Sequence, residues 1–386
     1  MDKKNKNPNV PNLRFDINTN YIDKNLKDLC SIMGGYAFDS NKMRSKGSYQ
    51  IVKMGNLYND CLDLARNPSF IDSPTPKELE YSLKQNDIII TLTGTVGKKD
   101  YGYTVQIKNE SHLLLNQRCA LIRPYSINAQ YLYYLLKSSQ FKNQFFSSST
   151  GGTGNQTNVS TSDILKFSVR IPCEKEQLKI GRLFHILDER IQTQSKIIKI
   201  YSSLMKAISF LLFSKIETKK QLSEICVINK GKQINGENLL ENGTYYMMNG
   251  GTSPSGYLNI YNKEANMISI SEGGNSCGYV QFNNVKFWSG GHCYTIENIK
   301  PTINNKFLYY YLKYNESKIM NLRIGTGLPN IQKKDLEQFK VAIPNFKIQI
   351  QITHILNCIE TKLNIEKELL TLYQLQKSYL LKNMFV

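Results

Sequence analysis

Histidines and cysteines are among the residues that could hold a metal ion or act as nucleophiles in this chain. The eight cysteines occur singly, with no C-x-x-C pair and no Cys/His cluster at the spacing of a zinc site. The four histidines are far apart in sequence, at His112, His185, His292 and His354. We therefore expect no metal site, and we expect the cysteines to be reduced, buried and packed as small apolar residues.

Motifs of several common enzyme classes are also missing from the sequence. It contains no G-x-x-x-x-G-K-[ST] phosphate loop, no G-x-G-x-x-G dinucleotide motif, no H-E-x-x-H and no N-P-P-Y motif of amino-methylating enzymes. The chain is therefore predicted to be a binding protein with no catalytic residues of its own.

Two glycine-rich segments are the remaining candidates for phosphate binding. They read GTGNQTNVSTSDILKFSVRIP (Gly152–Pro172) and GTGLPNIQKKDLEQFKVAIP (Gly325–Pro344). Backbone N–H groups in such turns can bind phosphate. The same glycines could serve equally well as hinges between a β-domain and a helix, and the residues themselves leave both interpretations open.

The two glycine-rich segments belong to a tandem duplication. When the chain is shifted by 172 residues, it matches itself without a gap from Asn158 to Phe213. Identical pairs include Asn158/Asn330, Asp163/Asp335, Phe167/Phe339, Gln177/Gln349 and Phe213/Phe385. Upstream, YLYYLLK (Tyr131–Lys137) matches FLYYYLK (Phe307–Lys313). The order A-B-A′-B′ predicts a pseudo-two-fold protein in which each half does an equivalent job.

The composition of the segments predicts an α+β protein. Residues 1–13 are expected to be disordered, 14–155 and 217–327 to form twisted mixed-β domains, and 156–216 and 328–386 to form long helices. Each mixed-β domain is predicted to contain one clear helix late in its sequence, at Asn128–Phe146 and at Phe307–Leu322. In each helical segment apolar residues recur in steps of three and four, which is the pattern of a coiled coil. A helix of about 42 residues would be about 63 Å long. We expect the two helices to pair in antiparallel orientation.

Gln194 is the one polar residue in the first apolar series, and Glu366 and Lys377 are polar in the second. Gln194 and Glu366 occupy equivalent positions of the two copies. In an antiparallel pair these equivalent positions meet near the centre. We therefore predict that the two side chains are close in space, where a hydrogen bond between them would fix the register at some cost in stability.

The charge of the chain favours a polyanionic partner. Lys and Arg number 49 against 31 Asp and Glu, a formal net charge of +18. A field of this sign attracts nucleic acid. The N-terminus has no apolar core of a signal peptide, and no stretch is long and apolar enough for a membrane helix, so we expect a cytoplasmic protein without membrane contact.

The duplicated GTG phrase before each long helix, the A-B-A′-B′ order and the run SISEGGNSCGYVQFNNVKFWSGGHCYTI resemble the DNA-specificity subunit of type I restriction-modification systems. The resemblance covers about residue 13 to residue 386. The A segments are somewhat short for this family, A′ more so, and match each other only at framework points.

The resemblance implies that segments 14–155 and 217–327 are target recognition domains for double-stranded DNA, held apart by the paired helices. It implies a bipartite target, two modification subunits that methylate adenine, and two restriction subunits that translocate and cleave. No cofactor is expected in this chain; S-adenosylmethionine, ATP and magnesium are implied for the partner subunits.

Given this resemblance, polar loop residues near the repeated glycine-rich turns are the candidates for DNA contact, because their side chains can bind bases or phosphates. In the first domain they are Thr91, Thr93, Lys98, Lys99, Tyr101, Asn116, Gln117 and Arg118. In the second they are Asn249, Ser271, Glu272, Asn275, Tyr279, Trp288 and His292. Any of them could instead be a surface turn or a buried, satisfied group, and Tyr279 and Trp288 could be core aromatics.

Three other functions stay open at this point. The chain could be the specificity subunit of a related single-complex restriction enzyme, a coiled-coil adaptor that does not bind DNA, or a nuclease or methyltransferase with a divergent site. The high positive charge argues against the adaptor.

Overall fold

A computed structural model of the chain describes residues 10–151, 155–325 and 327–386. The chain divides into two compact units, one of Met1–Thr193 with Leu370–Val386 and the other of Gln194–Leu369. Each unit contains one β-domain and a part of each of two long helices.

The first β-domain is built from short strands. They are β1 (Tyr21–Asn25), β2 (Cys30–Gly34), β3 (Tyr49–Val52), β4 (Leu57–Tyr58), β5 (Cys61–Leu62), β6 (Phe70–Ile71), β7 (Ile88–Thr91), β8 (Thr93–Thr95), β9 (Thr104–Gln106), β10 (Leu113–Leu115), β11 (Cys119–Pro124), β12 (Thr150–Gly151), β13 (Gln156–Asn158) and β14 (Ser168–Pro172). Its helices are α1 (Pro76–Leu79), α2 (Ala129–Leu135), α3 (Ser139–Ser147) and α4 (Thr161–Lys166), and the long helix α5 (Glu174–Phe213) follows.

The second β-domain repeats this plan with fewer strands. They are β15 (Lys219–Gln221), β16 (Val227–Lys230), β17 (Tyr245–Met248), β18 (Gly256–Leu258), β19 (Met267–Ser271), β20 (Val280–Asn283), β21 (Trp288–Ser289), β22 (Cys293–Glu297) and β23 (Lys340–Ala342). Its helices are α6 (Leu222–Ile225), α7 (Asn305–Tyr314), α8 (Glu316–Met320) and α9 (Lys333–Glu337), and the long helix α10 (Phe346–Asn383) follows.

The two β-domains share one framework. The main sheet of the first has the order β2-β11-β7-β9 and that of the second β16-β22-β19-β20, all antiparallel. The central strands consist of β-branched and other apolar residues, as in IIIT of β7, which is buried along its whole length. Such residues suit a strand that is covered on both faces. In each domain the strand before the long helix pairs with an early strand, β14 with β1 and β23 with β15.

The sequence explains where the two long helices begin and why α5 contains a glycine. Each begins two residues after a proline, Pro172 or Pro344, which ends the preceding extended segment. The single glycine of α5, Gly181, lies where α2 approaches closely: a Cβ atom there would be 3.1 Å from the amide nitrogen of Tyr131. The glycine therefore lets the β-domain pack against the helix.

Within each unit the long helices run antiparallel. In the first unit Asp188 of α5 forms an ion pair with Lys377 of α10, and Phe184 lies 5.8 Å from Phe385 between ring centres. In the second unit residues near the end of α5 share a core with Ile352 and Leu356 from the start of α10. Residues early in one helix thus meet residues late in the other.

The predicted proximity of Gln194 and Glu366 is present in the second unit. Gln194 Nε2 donates hydrogen bonds to the Glu366 carboxylate and, at 2.9 Å, to its backbone carbonyl. Both residues are buried. The Lys362 ammonium, 2.8 Å from the carboxylate, donates a further hydrogen bond, and these two donors keep the pKa of Glu366 below its usual value, with Lys362 the larger cause.

Two expectations about local structure require correction. The helix predicted over Asn128–Phe146 is two helices, because the Ser138 hydroxyl accepts a hydrogen bond from the Phe141 amide and caps α3. Of the predicted disordered terminus, residues 1–9 lie outside the described residues. Its last part is ordered: Pro11 is buried, and the Leu13 amide donates to the Asn383 carbonyl at 2.9 Å.

The expectation for the cysteines is only partly correct. Cys30, Cys119, Cys226, Cys277 and Cys293 are buried, and burial raises their thiol pKa values. Cys61, Cys173 and Cys358 are exposed, so the prediction of buried cysteines is wrong for these three.

Candidate nucleic-acid interface

Thr91 ends β7, and the other first-domain candidates lie on two neighbouring loops, residues 92–102, which include the short strand β8, and residues 116–118. The loops are adjacent because β7 and β11 pair side by side, and the Leu92 amide donates to the Arg118 carbonyl at 3.0 Å. Lys98, Lys99, Gln117 and Arg118 are exposed. Thr93 and Asn116 are half-buried. This end of the sheet therefore presents cations and amides to solvent.

Side-chain contacts of Asp100 and Lys99 hold the first loop in place. The Asp100 carboxylate accepts hydrogen bonds from the Thr95 amide at 2.8 Å and the Thr95 hydroxyl at 2.7 Å. These bonds, the backbone one first, lower the pKa of Asp100. The Lys99 ammonium lies 5.3 Å from the centre of the Phe146 ring. The turn with Lys98 and Lys99 is thus positioned by its own side chains.

Two first-domain candidates are buried and are corrected to supporting residues. Thr91 has 0% of its surface exposed, and its hydroxyl accepts a hydrogen bond from the Tyr103 amide at 3.0 Å. Tyr101 is 3% exposed, and its ring packs against Phe145 and Phe146. Neither side chain presents a surface to a base, because both complete the core beneath the loop.

In the second domain, three candidates meet at one cavity. Asn249, Glu272 and His292 border a cavity of about 530 Å³ together with Lys230. The Asn249 side-chain carbonyl accepts from the His292 amide at 2.9 Å. Two glycine-rich turns, 250–251 and 273–274, complete much of its wall. Sequence positions more than forty residues apart thus form a single site.

Glu272 is the best-connected residue of this cavity. The Lys230 ammonium lies 2.7 Å from Glu272 Oε1, and the Tyr294 hydroxyl donates to the same oxygen at 3.0 Å. Burial, together with this carboxylate, raises the pKa of the Tyr294 hydroxyl. Only 6% of Glu272 is exposed, so the carboxylate lies at the inner wall of the cavity.

The other second-domain candidates play different parts. Ser271 is buried and donates its hydroxyl hydrogen to the Gly250 carbonyl at 2.8 Å, so it is corrected to a supporting residue. Asn275 is exposed on the turn after β19. Tyr279 is half-buried with the Lys313 ammonium 4.0 Å from its ring centre. Trp288 is half-buried and donates to the Lys232 carbonyl at 2.9 Å.

The duplicated phrase lies against both candidate surfaces. In the first domain β13 pairs with β8 through Asn158 and Thr93. In the second, the equivalent Asn330 bridges Gly273, and residues 328–330 line the cavity. Gly152, Thr153, Gly154 and Thr326 lie outside the described residues, so the choice between phosphate loop and hinge stays open for them.

Sequence reasoning missed Lys230 and Tyr294. Both are framework positions, occupied in the first domain by Gly34 and Ala120. A residue-by-residue comparison of the two copies, looking for differences and not identities, would have found them.

One motif was also missed. GNSCG (Gly274–Gly278) matches G-x-S-x-G. In hydrolases that pattern is a strand-to-helix elbow. Here it is the turn between β19 and β20, and no hydrogen bond between described residues joins the Ser276 side chain to a histidine.

A family model of the type I restriction modification DNA specificity domain matches residues 18–200 and 215–372. The chain belongs to this family. Each matched segment overlaps most of one copy of the duplication. A Mycoplasma genitalium protein named as a type I specificity subunit is 22% identical over 395 residues, covering 97% of this chain and 96% of the relative. One from Methanocaldococcus jannaschii is 24% identical, covering 89% and 88%.

Solved structures agree with the fold. The crystal structure of a type I restriction-modification S subunit from M. genitalium superimposes with a TM-score of 0.71 at 20% identity, covering 98% of this chain and 99% of the other. The predicted α+β class, with mixed-β domains alternating with long antiparallel helices, is confirmed. None of the helices in the described parts of the chain is long and apolar enough to cross a membrane.

Proposed function

We propose that the chain is the non-catalytic subunit that reads the DNA sequence in a type I restriction-modification complex, one β-domain per half-site of a bipartite target. The observation that best supports the proposal is that the two β-domains share one strand framework but differ in their loops. The two main sheets have the same strand order, whereas the loops beside β7 and β19 differ in length and chemistry. Such divergence on a common framework suits two domains that read different sequences.

The exposed polar residues of these loops are proposed to contact the DNA. In the first domain Lys98, Lys99 and Arg118 are free to reach phosphates or base edges, and in the second Asn275 and His292 are. The net charge of +18 supports binding of double-stranded DNA.

The long helices are proposed to dock the partner subunits. Two modification subunits and two restriction subunits would assemble with this chain, and they would bring S-adenosylmethionine, ATP and magnesium. Exposed apolar residues on both helices support a protein partner there: Ile200 is 65% exposed, Leu211 57%, Leu375 61% and Tyr379 61%. The complex would act in the cytoplasm.

Methylation mapping tests the proposal. Host DNA is sequenced for methyl-adenine before and after deletion of this chain. We expect a bipartite, asymmetric motif that disappears with the deletion. The purified chain alone, given S-adenosylmethionine and magnesium, is expected neither to methylate nor to cleave. Activity that follows the pure chain would contradict the proposal, as would a methylation pattern that is unchanged by the deletion.

Salt dependence separates DNA reading from a protein adaptor. A protein that neutralises about six phosphates loses about a thousandfold in affinity between 50 and 200 mM salt. We expect a loss of this order for the complex on DNA carrying its motif. No binding at low salt would favour the adaptor. A related single-complex restriction enzyme would give the same binding result and differ only in its partners.

A further inference from the structure

Glu272 of the second β-domain occupies a position that is aliphatic in the first. The Leu92 amide donates to the Arg118 carbonyl at 3.0 Å, and the Glu272 amide donates to the His292 carbonyl at 2.9 Å. The two backbones are therefore equivalent. Leu92 and Glu272 are each 6% exposed, but Leu92 packs in an apolar core whereas Glu272 lies at the cavity.

The residues that contact Glu272 are also polar where their counterparts in the first domain are small and apolar. Strand pairing places Tyr294 opposite Lys230, where the first domain has Ala120 opposite Gly34. Lys230 and Tyr294 both contact Glu272. A buried carboxylate is costly unless it is paired and hydrogen-bonded. Because small and aliphatic residues suffice on the same framework, the fold does not require this polar group.

One carboxylate oxygen of Glu272 receives no hydrogen bond from the described residues. Lys230 and Tyr294 both bind Oε1. Oε2 is buried and accepts no hydrogen bond from any described residue. His292 Nδ1 lies 3.9 Å from it, which is too far for a hydrogen bond. A buried acceptor left unpaired is destabilising, so this oxygen is suited to a donor that arrives with a ligand.

We propose that Glu272 Oε2 accepts a hydrogen bond from the exocyclic amino group of a cytosine or adenine in the half-site read by the second β-domain. This rests on the proposed function. The His292 side chain is 62% exposed and its Nδ1 atom lies 3.9 Å from Oε2, so a rotation of this side chain would open the oxygen to the cavity. A carboxylate accepts from the amino group of a base edge. It repels a phosphate, so the cavity selects a base edge over the DNA backbone.

The substitution Glu272→Gln tests the assignment in the full chain assembled with its modification subunits. The matched control is Glu237→Gln, the same change at an exposed position of the same domain. Affinity is measured on DNA carrying the methylated motif and on duplexes with each half-site base pair replaced in turn. In Glu272→Gln the amide oxygen stays with the Lys230 and Tyr294 donors, so the amide N–H₂ group takes the place of Oε2 and opposes the amino group of the base. We expect this variant to reduce discrimination about tenfold at one cytosine or adenine of one half-site. The other half-site and the control should keep wild-type discrimination.

A second variant guards against a folding defect. Glu272→Leu combined with Lys230→Gly installs residues that the first domain already carries on this framework. It is expected to unfold at a temperature close to that of the wild type and to lose the same discrimination. Wild-type discrimination at every base pair in both variants would overturn the inference while leaving the proposed function intact. A wild-type complex with no methylated motif would instead overturn the proposed function.

Discussion

At the scale of single residues, Gln194 and Glu366 couple the helix pairing to pH. The Glu366 pKa is lowered from 4.5 by hydrogen bonds from Lys362 and Gln194. A carboxyl group whose folded-state pKa is below its unfolded value stabilises the fold above the unfolded value. That contribution is lost as the pH falls through the folded-state pKa. The helix pair should therefore weaken on acidification below about pH 4.5.

The substitution Glu366→Gln should remove this dependence. We expect the difference in melting temperature between wild type and variant to be largest at pH 6–7 and to shrink below pH 4.5. The measurement is thermal unfolding by circular dichroism across that range. Glu368→Gln, an exposed neighbour on α10, is the control and should follow the wild type. A difference that does not vary with pH would argue against a role for the ionised carboxylate.

Single residues also show which contacts could be predicted from the sequence and which could not. The contact between Gln194 and Glu366 could be predicted because an apolar repeat fixes which positions face the partner helix. The burial of Thr91 and Ser271 could not, because a polar residue at the end of a strand looks the same whether its hydroxyl meets backbone or solvent. The contact of Lys230 with Glu272 depends on strand register, which short irregular strands specify weakly.

At the scale of elements, each β-domain is fastened to a long helix by tyrosine and carboxylate. In the first unit the Tyr134 hydroxyl of α2 donates to Asp188 of α5 at 2.9 Å. In the second, the Tyr310 hydroxyl of α7 donates to Glu360 of α10 at 2.8 Å, and Tyr309 donates at 3.0 Å. The carboxylates are equivalent positions of the duplication. The contact fixes how each recognition domain sits on its helix.

Removal of the Glu360 carboxylate should loosen the second domain. Glu360→Ala leaves the buried Tyr309 hydroxyl without its acceptor and leaves the Tyr310 hydroxyl only the Asn357 side-chain oxygen, 3.4 Å away. We expect a loss of about 2–3 kcal/mol of stability. Urea unfolding measures it, with Glu368→Ala as the exposed control on the same helix. A loss no larger than that of the control would mean that apolar packing alone holds α7 to α10.

The elements that could be predicted are those with strong internal periodicity. The long helices were evident, since nothing after Gly181 in α5 interrupts the helix and the apolar residues keep phase. The predicted helix over Asn128–Phe146 was broken by Ser138, whose cap needs only one hydroxyl and leaves the apolar pattern nearly unchanged. The boundaries predicted for the four segments stay predictions.

At the scale of the molecule, one unit is built from two parts of the chain that are far apart in sequence. Leu370–Val386 belongs with Met1–Thr193, whereas the second unit is continuous in sequence. The Phe385 ring is 6% exposed and lies 5.4 Å from the Tyr131 ring and 5.8 Å from the Phe184 ring, between centres. The last residues of the chain thus complete the core of the first β-domain, far from them in sequence.

Removal of the Phe385 ring should lower the stability of the first unit only. Phe385→Ala removes a buried aromatic side chain, and we expect the first unit to lose about 3 kcal/mol of stability. Hydrogen exchange should accelerate across residues 21–190 and stay unchanged across 219–342. Leu375→Ala, at a position 61% exposed on the same helix, should alter neither. Equal acceleration of hydrogen exchange in both units would show that they unfold together. A substitution in one unit would then lower the stability of both recognition domains.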